Sequence, residues 1–145
     1  MDGKIILVVG GGAGIGRAAA ELCAARGAAV AVADIDGQAA AATVAPWDGL
    51  SAQVDVTSEA SVAALFGRVA EQFGRLDALI QCAGVLKGAF VPAEEFPAPT
   101  WQSVLDVNLT GSYLCAKHAV PLLAKSAAGV IALVSSGAAV SDCND

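Results

Sequence analysis

The sequence predicts an α/β fold in which one open, parallel sheet of five strands carries helices on both faces. Short apolar runs alternate along the chain with segments of helical spacing, the pattern of repeated β-α units. The first run, Ile5–Val9, has no polar alternation, which is typical of a strand covered on both faces. Gly27 and Gly74 follow two of the helical segments, where a helix commonly ends. Short right-handed connections then give the strand order 3-2-1-4-5.

The individual elements follow from the spacing of apolar residues. The predicted strands are residues 5–9, 28–33, 50–56, 76–81 and 130–134. The packing face of the first helix is predicted to carry Ile15, Ala18, Ala19, Leu22 and Cys23. Residues 37–44 form a short second helix, and the face of the third carries Val62, Leu65, Phe66, Val69 and Phe73. A proline-containing loop over residues 85–100 precedes a long helix that starts at Trp101.

Composition narrows the class of protein further. The 145 residues suffice for one domain, expected over residues 1–145. A net charge of −6 argues against nucleic acid, which needs a basic surface. Although 56% of the residues are hydrophobic, no apolar stretch approaches the ~18 residues of a membrane span. The start lacks the cleavage pattern of a signal peptide, and the four cysteines show no metal-ligand spacing, so we expect a cytoplasmic protein without a metal.

A glycine cluster follows the first strand and predicts a nucleotide site. Gly10, Gly14 and Gly16 have the spacing GxxxGxG, and no register of the cluster gives the more general GxGxxG. Glycine lets the backbone turn tightly and bring its N–H groups close to a ligand. The next helix directs its partly positive N-terminus at the same place, where a phosphate would bind. We therefore interpret this turn as a dinucleotide site.

The end of the second strand indicates which dinucleotide is bound. Asp34 lies 20 positions after Gly14, where a carboxylate can accept hydrogen bonds from an adenosine ribose. The same carboxylate would repel the 2′-phosphate of NADP, and no Lys or Arg lies between Gly10 and Gly16 to attract it. The sequence therefore favours NAD over NADP. The alternative is that Asp34 and Asp36 only cap the following helix.

The glycine spacing, with Ile15 inside Gly-Ile-Gly, resembles the short-chain dehydrogenase/reductase family and its TGxxxGIG motif, with Val9 in place of the family's threonine. Further along, Ala83 and Gly84 match the end of the family's Asn-Asn-Ala-Gly segment, while Gln81 and Cys82 replace the asparagines. The resemblance covers nearly the whole chain. It implies a Rossmann-like domain whose cofactor contacts include Gly10, Gly14, Ile15, Gly16, Asp34, Asp55, Val56, Ala83 and Gly84.

The resemblance assigns roles to two of these positions and to two others. Asp55 and Val56 would lie beside the adenine ring, although Asp55 is equally interpreted as a polar strand end leading into Thr57. Asn108, in Val-Asn-Leu, matches the family's asparagine that interrupts a helix and holds a water through its backbone. Ser136, with Ser135 as the next choice, matches the catalytic serine after strand five.

Tyr113 and Lys117 imitate the family's catalytic Tyr-x-x-x-Lys motif but precede strand five, whereas the family's pair follows it. We interpret Tyr113 as an aromatic on the packing face of its helix and Lys117 as its solvated neighbour. The chain then lacks the family's proton carrier, and we expect it to be truncated after strand five and inactive alone. Strand five would be left as an apolar edge.

Two functions remain open. The first is an NAD-dependent oxidoreductase that transfers hydride between NAD(H) and a small alcohol or ketone, represented by its cofactor-binding part. The second is a shortened, catalytically inactive module that binds NAD or a partner strand. An S-adenosylmethionine-binding domain is a more distant third. By the resemblance, we also expect a homo-oligomer.

Overall fold

The computed structural model describes residues 1–136, and these form the predicted five-stranded parallel sheet. The strands are β1 (Ile5–Val9), β2 (Ala29–Asp34), β3 (Leu50–Gln53), β4 (Ala78–Gln81) and β5 (Val130–Leu133). Their order is β3-β2-β1-β4-β5, and every neighbouring pair is parallel. The predicted topology is confirmed, and all carboxyl ends of the strands therefore meet at one edge of the sheet.

Five α-helices connect the strands. They are α1 (Gly14–Ala25), α2 (Gly37–Val44), α3 (Glu59–Phe73), α4 (Ala98–Leu105) and α5 (Gly111–Leu123). Between α4 and α5 the chain continues as a π-helical turn, Asp106–Thr110. Helix α4 begins inside the predicted loop, with Pro99 in its first turn. A proline is tolerated there because the first N–H groups of a helix have no intrahelical partner.

The core consists of two layers, one on each face of the sheet. Residues from α1 and α2 cover one face around Ile6 and Val8, and residues from α3 and α5 cover the other around Leu7 and Val9. All five residues of β1 are buried, because the strand lies between both layers. The predicted face of α3 is confirmed, since Val62, Leu65, Phe66 and Val69 are all buried. Gly74 ends this helix in the left-handed conformation, φ +72°.

The predicted packing face of α1 is confirmed at Cys23, which is buried, and is wrong for Ile15, Ala18 and Leu22, which are exposed. Ile15 and Leu22 are 71% and 52% exposed, and the side facing the sheet carries Gly16, Ala20 and Cys23. Small residues on that side let the helix axis approach the sheet closely, whereas the larger apolar residues would hold it away. Apolar spacing alone included Ile15 and Leu22 and therefore turned the predicted face partly away from the sheet.

β5 is the least covered strand of the sheet. Within the described residues β5 pairs with β4 on one side and with no strand on the other. Val130, Leu133 and Val134 are each at least half exposed. The expected apolar edge is therefore present in the described part of the chain. Within residues 1–136 no helix has the length and apolar character required to cross a bilayer. No group of three or more potential metal ligands occurs in these residues either.

Candidate functional site

A cavity of ≈ 400 Å³ opens at the carboxyl ends of the strands. Seven predicted cofactor residues line it: Gly10, Gly14, Asp34, Asp55, Val56, Ala83 and Gly84. They come from the ends of four different segments, after β1, β2, β3 and β4, which the parallel topology brings together. Ligands of open α/β sheets bind in such a crevice, at the point where the strand order reverses. Here that point lies between β1 and β4.

The glycine turn forms one wall of the cavity. The N–H groups of Gly10 and Gly11 donate to the carbonyl of Ala33 over 2.7 and 3.2 Å, which anchors the turn to the end of β2. Gly10 has φ +79°, and a Cβ there would collide with the backbone of Ala83. A Cβ at Gly16 would collide with the carbonyl of Gly10. Both glycines are therefore required for the close approach of backbone segments.

Helix α1 begins at this wall and faces the cavity with its N-terminus. Ala13 precedes the helix and supplies no side-chain cap, while both Ala13 and Gly14 line the cavity. The first N–H groups of a helix lack intrahelical acceptors and attract an anion. Ile15 and Gly16 belong to this first turn, but neither residue lines the cavity. Gly16 is packed beneath Gly10, and Ile15 is largely exposed.

Asp34 stands at the end of β2, half-buried, with both carboxylate oxygens engaged by the backbone. Oδ2 accepts a hydrogen bond from Gly12 N at 2.9 Å, and Oδ1 accepts one from Asp36 N at 3.1 Å. Asp36 rather than Asp34 caps α2, since its Oδ1 accepts from Gln38 N and Ala39 N. The capping alternative therefore holds for Asp36, whereas Asp34 faces the glycine turn and the cavity.

Asp55 also reaches the cavity, but its side chain is used locally. Its Oδ1 accepts hydrogen bonds from Thr57 N at 2.9 Å and Thr57 Oγ1 at 2.7 Å. This is the geometry of a polar strand end that leads into the next helix, where Ser58 is the cap. The strand is also shorter than predicted, because β3 ends at Gln53 and not at Val56. Val56 is buried and lines the cavity at the same time.

Asn108 lies in the π-helical turn and joins this turn to the segment after β4. Its Oδ1 accepts from Val85 N at 2.8 Å, and its Nδ2 donates to Val85 O at 2.9 Å. The backbone carbonyl of Asn108 accepts from Ser112 Oγ at 2.7 Å. Asn108 itself does not line the cavity, but Val85 and Val107 do. The predicted helix interruption is therefore present, and the side-chain amide binds the backbone of Val85.

Ser135 and Ser136 follow β5 at the same edge of the sheet. The ladder with β4 extends to Val134, whose N–H donates to Gln81 O at 3.0 Å. Ser136 is exposed and is the last residue that the structure describes. Cys143, the fourth cysteine, lies outside the described residues.

Tyr113 and Lys117 do not lie at the cavity. Lys117 Nζ pairs with Glu59 Oε1 at 2.6 Å, and this hydrogen bond raises the pKa of the Lys117 ammonium. Tyr113 is 61% exposed, so its predicted place on the packing face is wrong. The helix turns this position to the outside because Leu114 and Cys115 take the inward side. Lys117 is better described as the partner of Glu59 than as a solvated neighbour.

Several residues of the site were not predicted. Ala13, Ile35, Val54, Cys82, Val85 and Val107 line the cavity, and Gly12 holds Asp34. Most of them are sequence neighbours of predicted residues, so proximity in the chain would have found them. Gly12 carries no such signal, because its role depends on a contact with the distant Asp34.

The arrangement fits a dinucleotide. Backbone donors and a helix N-terminus suit a pyrophosphate, the Asp34 carboxylate suits ribose hydroxyls, and Val54 and Val56 supply apolar walls. The close approach of Gly10 to Ala83 keeps side chains out of the turn. These features belong to the residues themselves and do not depend on comparison with other proteins.

Comparisons with known proteins agree with this interpretation. The family model described as short chain dehydrogenase matches residues 4–144. The chain is 40% identical over 137 residues to cis-4-hydroxycyclohexanecarboxylate dehydrogenase of Sinomonas cyclohexanicum, covering 92% of this chain and 55% of the relative. It is 39% identical over 135 residues to 2-dehydro-3-deoxy-L-rhamnonate dehydrogenase (NAD(+)) of Sphingomonas sp. strain SKA58, covering 92% and 54%.

Among solved structures, a short chain dehydrogenase from Shigella flexneri 2a complexed with NADP has a TM-score of 0.84 and 27% identity. That match covers 90% of this chain and 58% of the solved chain. The chain thus spans about half the length of the curated relatives it matches. From the family match over residues 4–144, the chain belongs to the short-chain dehydrogenase family.

Proposed function

We propose that this chain is the cofactor-binding part of an NAD-dependent oxidoreductase that acts on a small alcohol or ketone. The observation that carries the proposal is the convergence of Gly10, Gly14 and Asp34 on one cavity at the reversal of strand order. When bound, the nicotinamide cofactor supplies or accepts the hydride. The residues of this chain bind and orient that cofactor.

The preference for NAD depends on Asp34. Its carboxylate faces the cavity, where it would accept hydrogen bonds from ribose hydroxyls and would repel a 2′-phosphate. A relative that is named for NAD(+) supports this preference, whereas a structural neighbour was complexed with NADP.

Ser136 and Asn108 are the proposed residues of the reaction itself. Ser136, after β5, would hold the substrate oxygen by its hydroxyl group. Asn108 would hold a water through its backbone, while its side chain fixes Val85 at the wall of the cavity. Hydride transfer to a carbonyl also needs a proton donor near the reacting oxygen. Because Lys117 pairs with Glu59 away from the cavity, we do not assign that role to Tyr113 and Lys117.

A titration tests the proposal directly. Binding of NADH and of NADPH is measured by quenching of Trp47 and Trp101 fluorescence, with isothermal titration calorimetry as the second method. We expect NADH to bind more tightly than NADPH. Gly10→Ala, which places a Cβ against Ala83, should abolish binding of both cofactors. Gly67→Ala is the matched control, because a Cβ at this exposed position in α3 meets nothing within 4 Å.

Two kinds of outcome of this titration would contradict the proposal. If the chain binds neither cofactor, or binds S-adenosylmethionine instead, the proposed function is wrong. If NADPH binds more tightly than NADH, the cofactor site remains but the argument from Asp34 fails.

A second candidate function is an inactive module that binds NAD or a partner strand. The exposed apolar edge of β5 favours it, with Val130 55% and Leu133 54% exposed. The replacement of the family's asparagines by Gln81 and Cys82 favours it as well. Light scattering would detect the homo-oligomer that we propose, and fractionation of cells would test the proposed cytoplasmic location.

A further inference from the structure

Gly12 occupies a position that the GxxxGxG spacing leaves open, yet the structure requires it to be small. A Cβ at Gly12 would lie 2.9 Å from Asp34 Oδ2, 3.0 Å from Asp34 Cγ and 2.8 Å from Ala39 Cβ. Real Cβ atoms do not approach other heavy atoms that closely, so a neighbour would have to move. Gly12 is not one of the glycines with positive φ. The requirement therefore comes from contacts across the turn and not from the backbone conformation.

The contact between Gly12 and Asp34 also fixes the carboxylate in one orientation. Gly12 N donates to Oδ2, and Asp36 N donates to Oδ1, so each oxygen has one backbone donor. A carboxylate offers about four acceptor sites, which leaves capacity for two ribose hydroxyls. Because Asp34 lines the cavity, this fixed orientation presents the remaining acceptor capacity toward a ligand.

Helix α2 supports the same turn from the other side. Thr43, which is 1% exposed, lies with its Oγ1 3.1 Å from the carbonyl oxygen of Gly11. Ala39, on the same helix, limits the space beside Gly12. The backbone at residues 11–12 is thus enclosed between α2 and Asp34, and the turn cannot move aside to admit a side chain.

We propose that Gly12 is a positioning residue that sets the cofactor preference through Asp34. This inference rests on the proposed function, because it concerns the ribose end of the same cofactor site. A side chain at position 12 displaces the carboxylate from the glycine turn. NADH then loses its charged acceptor, while NADPH loses a repulsive charge, so the ratio of the two affinities falls.

A double-mutant cycle tests this. The dissociation constants of NADH and NADPH are measured for the unchanged chain, Gly12→Ala, Asp34→Ala and the double variant. Gly12→Ala should lower the preference for NADH over NADPH about tenfold, the loss expected for one hydrogen bond to a charged group. In the Asp34→Ala background the same change at Gly12 should leave the ratio unaltered. The contact of the new Cβ with Ala39 should weaken the binding of NADH and of NADPH equally, so its effect cancels in the ratio of the two dissociation constants.

Two controls keep the test decisive. Gly67→Ala should leave both dissociation constants unchanged, since its Cβ meets open space. If Gly12→Ala fails to fold by circular dichroism, the variant Gly12→Ala with Ala39→Gly removes the 2.8 Å contact and keeps the one with Asp34.

An unchanged NADH-to-NADPH ratio in a folded Gly12→Ala variant would overturn the inference. An equal fall of the ratio in the Asp34→Ala background would also overturn it, because Gly12 would then not act through Asp34. If the unchanged chain binds neither cofactor, the proposed function fails and this inference fails with it. If the unchanged chain binds NADH and only the ratio test fails, the proposed function stands alone.

Discussion

Neutralising Asp77 should reduce the stability of this protein in a pH-dependent way. Asp77 stands immediately before β4, and its side chain is 7% exposed. It accepts hydrogen bonds from Ser126 Oγ at 2.7 Å and Ile5 N at 2.9 Å, and from Lys4 Nζ at 3.3 Å. The Ser126 hydroxyl contributes most to a carboxyl pKa that is lowered from 3.8 to about 2. Every one of these contacts favours the charged form.

The shift converts to a free energy of unfolding. The difference between a pKa of 3.8 and one of about 2 corresponds to about 2 kcal/mol at neutral pH. The folded-state pKa is depressed, so this contribution is fully present above about pH 4, near the unfolded-state value, and is lost as the pH falls toward about 2. At pH 3 roughly 1 kcal/mol of it should already be lost.

Urea denaturation of Asp77→Asn and of the unchanged chain, followed by circular dichroism at pH 7, 4 and 3, measures this. The variant should be less stable by up to about 2 kcal/mol at pH 7, and the difference should shrink by about 1 kcal/mol at pH 3. Glu94→Gln, which neutralises an exposed carboxylate, is the control and should show neither effect. A stability difference that is the same at pH 7 and pH 3 would refute the electrostatic account of Asp77.

Three further results are expected. Gly67→Ala should raise the free energy of unfolding by roughly 0.5–1 kcal/mol, because alanine loses less backbone entropy in the exposed interior of α3; a lower stability would contradict this. Gln81 is 2% exposed and its side-chain amide has no partner among the described residues, so Gln81→Met should stabilise the protein by about 1 kcal/mol in urea denaturation. A loss of stability would indicate that the amide has a bound partner. Burial raises the pKa of Cys115 to about 12, so iodoacetamide at pH 8 should leave it unmodified in the native protein. Cys82, at the cavity, should react before Cys115 and be protected by NADH; equal labelling of these two thiols in peptide mass spectra would contradict that order.

Sequence determined the elements whose pattern is local. β1 could be predicted because an unbroken apolar run has only one stable place in such a sheet, between two layers. The face of α3 could be predicted because its inward residues are also its large apolar ones. Gly10, Gly14 and Asp34 could be placed together because the carboxyl ends of parallel strands meet at one edge. Each of these steps needs only spacing and the direction of the strands.

Contacts between distant segments were decided by the tertiary structure. Lys117 pairs with Glu59, which lies 58 positions away in the chain. The side-chain amide of Asn108 forms hydrogen bonds with Val85, which lies 23 positions away. The inward side of α1 is made of small residues because the sheet approaches closely there, and hydrophobicity alone does not reveal that distance. Gly12 illustrates the same limit: its neighbours in the chain give no reason for a glycine, and only the packed positions of Asp34 and Ala39 leave no room for a Cβ.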